Sequence, residues 1–71
     1  MNEQNEIIRK KTIIFKDQKI AVHISKFNKW FHNGYIKKIE EDNLILDDEK
    51  EGEIIVFFAE IVNIEKREKK R

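Results

Sequence analysis

Ile20-Ala21-Val22-His23-Ile24-Ser25 decides the reading of this chain. Ile20, Val22 and Ile24 alternate with Ala21, His23 and Ser25. A period of two is the signature of a strand with one face buried and one face wet. Outward from this strand, short runs with similar character recur. Thr12–Phe15 precedes it as a β-branched and aromatic run, with Lys16-Asp17-Gln18-Lys19 as the turn between them. After it, Lys26-Phe27-Asn28-Lys29 reads as a turn, and Trp30–Glu40 as an extended stretch containing Asn33-Gly34. An Asn-Gly pair flanked by aromatics is either a hairpin turn or a sharp bend inside one long strand. Ile36 and Ile39 stand three apart, which breaks strict alternation and supports the bend, with a bulge beside it.

Glu41-Asp42-Asn43 is a turn and Leu44-Ile45-Leu46 a strand ending at Asp47. Asp48–Gly52 is a second turn, with Gly52 free to take positive φ. Ile54-Ile55-Val56-Phe57-Phe58 is a continuous apolar run, the pattern of a strand covered on both faces. Phe57 and Phe58 are neighbours on it and therefore point in opposite directions. Ala59-Glu60 is a brief break before the last strand, Ile61–Ile64. Met1–Lys11 is a lead-in or a short helix, with Asn2 or Asn5 as its cap, acidic residues first and Arg9-Lys10-Lys11 last. The end of the chain, 66–71, is a basic tail.

The 71 residues make one domain, 1–71, with few loop residues: two glycines and no proline. Five or six short strands joined by tight turns, in so small a unit, imply a mainly β fold: a small, strongly bent antiparallel barrel of the SH3-like or OB-like kind. With no cysteine, disulfides and thiolate metal sites are excluded. No apolar run approaches a membrane span and the N-terminus is polar, so the expected location is the cytoplasm.

The net charge of +1 conceals an uneven distribution. Nine basic and three acidic residues before Glu40 give +6, and eight acidic residues against Lys50 between Glu40 and Glu53 give −7. Such a chain can carry one basic face and one acidic edge, or simply a solvated mixed-charge surface. Ser25 and Thr12 are its single serine and threonine, and no Gly-rich elbow or phosphate loop surrounds either. His23 and His32 fall on different elements. No catalytic set, metal site or cofactor is implied, and the chain is not read as an enzyme.

Lys26, Phe27, Asn28, Lys29, Trp30, Phe31, His32 and Tyr35 form the most suggestive cluster. Aromatics stack on bases, lysines meet phosphates, and Asn or His can read base edges. The competing reading is that Trp30, Phe31 and Tyr35 fill a small core. The basic ends, Arg9-Lys10-Lys11 and Lys66-Arg67 with Lys69-Lys70-Arg71, suit phosphate contacts or simple solubility.

From Phe31 onward the order of features resembles the Sm-like family. Gly34, Ile36, Ile39, Glu40, Leu44 and Leu46 are similar to its first motif. The Gly52 turn, Ile54–Phe58, the two-residue break and Ile61–Ile64 are similar to its second. The resemblance implies a small barrel with an N-terminal helix, RNA binding, and a homo-oligomer built by strand pairing, potentially a ring. Its interface would use Ile54, Val56, Phe57, Phe58, Ile61 and Ile64. The departures are specific. Leu44 stands where the family carries a base-contacting asparagine, with Asn43 one residue early. Phe58-Ala59-Glu60 replaces an Arg-Gly pair, and Phe31-His32-Asn33-Gly34 is one residue longer than the usual aromatic-x-Gly. The family's uridine pocket is therefore not carried over. A protein–protein adaptor using the acidic Glu40–Glu53 edge is the second reading. A DNA-binding, chromatin-type SH3-like barrel is the third, and the charge of +1 disfavours it.

Overall fold

The computed structural model describes residues 3–67. One helix, α1 (Glu3–Asp17), precedes five strands: β1 (Val22–Lys26), β2 (Phe31–Ile39), β3 (Asn43–Asp48), β4 (Gly52–Phe57) and β5 (Ile61–Lys66). A 3-10 turn, Phe58–Glu60, links β4 to β5. All neighbouring strands are antiparallel, in the order β4-β3-β2-β1-β5. The sheet is strongly curled, and its ladders leave β4 and β5 as its two edges.

The curl has identifiable causes. The β2–β3 ladder slips between Ile36 and Lys38; a bulge of this kind bends a strand and sharpens its twist. Gly34 lies buried inside β2, in register with Asp48, where there is no room for a side chain. Asn33-Gly34 is therefore the bend and not the hairpin turn. The turn between β1 and β2 is Phe27–Trp30, closed by Lys26 N–H donating to the Trp30 carbonyl at 2.8 Å.

Even-numbered positions of β1 and β3 face inward. Val22 and Ile24 on β1, Leu44 and Leu46 on β3, Val56 on β4 and Ile64 on β5 are fully buried, with Ile36, Phe58 and Ile61 beside them. Over one side of this core lies α1, contributing Ile8 and Phe15. Thr12 is buried between them, and its hydroxyl donates to the Ile8 carbonyl at 2.7 Å. Thr12–Phe15, expected as a strand, is thus helical. The spacing of Ile8, Thr12 and Phe15 puts them on one helix face, and burial of that face outweighs the β preference of Thr-Ile-Ile. The helix ends where Lys19 takes φ 57° and Ile20 N–H reaches back to the Phe15 carbonyl at 3.0 Å. That closure normally uses glycine. It also takes Ile20 out of β1, which begins at Val22.

Within the single chain, the apolar run Ile54–Phe58, expected to be covered on both faces by the barrel or by a neighbour, is covered on one face. Val56 is buried, but Ile55 and Phe57 are 59% and 48% exposed. Phe58 leaves the strand, enters the 3-10 turn and drops into the core, its N–H held by the Asp42 carbonyl at 2.9 Å. Gly52 has φ 80°, as its turn requires. No helix among the described residues is long and apolar enough to cross a membrane. Asn2 and the tail beyond Arg67 lie outside the described residues.

Candidate nucleic-acid interface

The β1–β2 turn projects the aromatic cluster. Phe27 is 68%, Trp30 65% and Phe31 59% exposed, so these rings do not fill the core. Lys29 stands exposed between Phe27 and Trp30 with φ 71°, a left-handed conformation that reverses the chain tightly. The Asn28 carbonyl oxygen Oδ1 accepts the Trp30 N–H at 3.0 Å and so shapes the turn. Tyr35 is half-exposed further along β2.

Two members of the expected cluster turn the other way. His32 shares the inward parity of Gly34 and Ile36, and Lys26 that of Val22 and Ile24. The Lys26 ammonium lies 3.4 Å from His32 Nε2 and 3.5 Å from the Glu60 carboxylate. His32 Nδ1 lies 3.5 Å from Asp48 Oδ1. The four side chains form a polar row, Glu60–Lys26–His32–Asp48, instead of standing out with the exposed rings. Burial alone would push the Asp48 carboxyl up. Hydrogen bonds from the N–H groups of Glu51, Lys50 and Asn33, together with the nearby His32, outweigh this and hold it below its ordinary value.

The outer face of β1 and β2 carries a pair absent from the expected cluster. His23 Nδ1–H donates to Asn33 Oδ1 at 2.6 Å, and the His23 ring stacks obliquely on Phe31 at 5.2 Å. The signal for it was the alternation in β1, which sets His23 opposite the buried face.

The expected contacts between copies divide in the same way. Val56, Phe58, Ile61 and Ile64 belong to the core of the single chain, Ile54 is partly buried against it, and only Phe57 of that set is exposed. The exposed apolar residues of the two edge strands are Ile55, Phe57 and Val62, beside the exposed charges of Glu53, Glu65 and Lys66. Arg9, expected among phosphate contacts, donates instead to the carbonyls of Glu40 and Glu41 at 3.0 and 2.9 Å, tying α1 to the β2–β3 loop. The Asn43 amide, one residue before the family's asparagine position, donates to Glu40 Oε1 at 3.0 Å.

No family model matches the sequence, and no curated protein matches it. Among solved structures, the crystal structure of the pleiotropic translational regulator Hfq matches with a TM-score of 0.70. The match covers 82% of this chain and 95% of the Hfq chain at 17% identity. Such identity speaks for the fold alone, and the fold agrees element by element: a helix, then five bent antiparallel strands. The chain has the Sm-like fold.

Proposed function

We propose that this chain is an Sm-like RNA-binding protein of the cytoplasm that acts by binding, not catalysis, and works as a homo-oligomer. The observation that carries the RNA reading is the exposure of Phe27, Trp30 and Phe31 around Lys29. Exposed rings next to a cation are what single-stranded nucleic acid needs, since every base offers a face for stacking and every linkage a negative charge. The oligomer reading rests on the two edges of the curled sheet. An apolar edge strand must be paired, charged or covered, and pairing β4 of one copy with β5 of the next is head-to-tail, an arrangement that closes into a ring when the rotation allows. The Hfq to which the fold is similar is described as a pleiotropic translational regulator.

Fluorescence anisotropy with labelled single-stranded RNA tests the proposal. Affinity should fall steeply with salt, and Trp30→Ala should cost about 1–3 kcal/mol if a base stacks on the indole. Absence of RNA binding at low salt would overturn the RNA reading. Unchanged affinity in a folded Trp30→Ala, Lys29→Ala variant would remove the turn from the site.

A further inference from the structure

A cleft of about 790 Å3 opens between α1, the β2–β3 loop and the 3-10 turn. Its floor is apolar. Ile13 on α1 and Phe57 at the end of β4 are 41% and 48% exposed, with Ala59 beside them. Its rim is acidic: Glu6 on α1 and Glu41 and Asp42 on the loop line the opening as exposed carboxylates. The basic groups nearby balance them only in part. Arg9 spends one guanidinium nitrogen on two loop carbonyls and lies 5.4 Å above the Phe58 ring, so it braces the cleft wall. Lys26 sits against Glu60. Arg9 keeps its charge while bonded to neutral carbonyls, so Glu6, Glu41 and Asp42 face Arg9 and Lys10, and the lining is left with an excess of one negative charge.

We propose that this cleft is a docking site for a basic segment of a partner protein. The segment would seat an apolar side chain on Ile13 and Phe57 and set lysines or arginines against Glu6, Glu41 and Asp42. A concave apolar floor supplies an anchor of the kind that dominates peptide recognition. The excess of carboxylate on the rim supplies sign selectivity: it favours a cationic chain over an anionic one. The two ends of the charge pattern thus serve two ligands, with RNA taken on the aromatic turn and a basic protein segment taken beneath α1. The chain's own basic residues Lys66 and Arg67 are poorly placed to fill the cleft. They lie at the opposite end of β5 from Ile61, and Arg67 already meets Glu49 at 3.3 Å.

Selection from phage displaying random short peptides, against the full immobilised chain, tests this. Enriched peptides should carry Lys or Arg around an aliphatic or aromatic residue. Their affinity should fall about tenfold or more in Glu41→Lys, Asp42→Lys. It should hold in Glu49→Lys, Glu51→Lys, which alters the acidic β3–β4 turn instead. Ile13→Asp should also weaken binding. Because that change could loosen α1, the loop charge reversal, checked for folding by circular dichroism, is the deciding variant. A single-stranded RNA oligonucleotide should not displace the peptides. Failure to enrich, enrichment without basic bias, or equal loss in both charge-reversal variants would overturn the proposal. Displacement by RNA would assign the cleft to nucleic acid. A drop in oligomeric mass on Glu41→Lys, Asp42→Lys would assign it to contact between copies.

Discussion

Gly34 approaches the backbone carbonyl of Asp47 so closely that a methyl group at position 34 would lie inside the van der Waals reach of the oxygen. The obstacle is main chain, so no rotamer change can relieve it. Overpacking in a well-filled interior costs about 1–3 kcal/mol, more when backbone must move. Gly34→Ala should therefore lose about 3 kcal/mol, read as a lower urea midpoint. An unchanged midpoint would mean that β2 and β3 can part here without cost.

Asp48 links acid stability to the β3–β4 turn. Its carboxyl is held below the ordinary value in the folded chain. The stability it contributes is thus complete above the unfolded value, about pH 4, and is lost as pH falls through the lower folded value. Asp48→Asn should cost about 1–3 kcal/mol at neutral pH and flatten the acid limb of the stability profile. Parallel acid limbs for the two proteins would show that another carboxyl governs it.

Lys29 separates stability from binding. Holding a non-glycine residue at φ 71° costs about 1 kcal/mol. Lys29→Gly should leave the fold equally stable or up to about 1 kcal/mol more so, once glycine's extra chain entropy is counted. The same change should weaken RNA binding and reduce the salt slope by about 0.7, the amount expected for one contact to a single-stranded phosphate. An unaltered slope would take Lys29 off the backbone path.

Ile55 points outward from β4, opposite Ile45 in the ladder, and well clear of the core. If copies assemble through this edge as proposed, Ile55→Lys should sediment as a monomer, with stability of the single chain changed by no more than about 0.5 kcal/mol. Native protein that sediments as a folded monomer at high micromolar concentration would sink the assembly proposal.

The alternation of Val22 and Ile24, the Gly52 turn and the Ile36–Ile39 irregularity were legible because each depends on neighbours in sequence. The helix was only half legible. Its first turns carried favourable charges, but Thr12-Ile13-Ile14-Phe15 carries β preference, and the Ile8–Thr12–Phe15 face that overrides it acquires value only when the sheet is there to cover it. The site divided for a similar reason. Phe27 and Trp30 are exposed because they sit in a turn, which local sequence announces. His32 turns inward because the parity of β2 is fixed by Gly34 and Ile36, and reading Asn33-Gly34 as a hairpin would have reset it. The cleft under α1 joins residues more than thirty positions apart, Arg9 with Glu40 and Glu41, and no local pattern announces such a meeting.

Five of the fifteen residues of α1 are β-branched: Ile7, Ile8, Thr12, Ile13 and Ile14. A segment of that composition and length has little helical tendency alone in water. Its order is lent by the sheet on which Ile8, Thr12 and Phe15 rest. Winding of the helix and curling of the sheet are then a single cooperative event, and the helical circular dichroism of one short segment becomes a gauge of the whole β architecture.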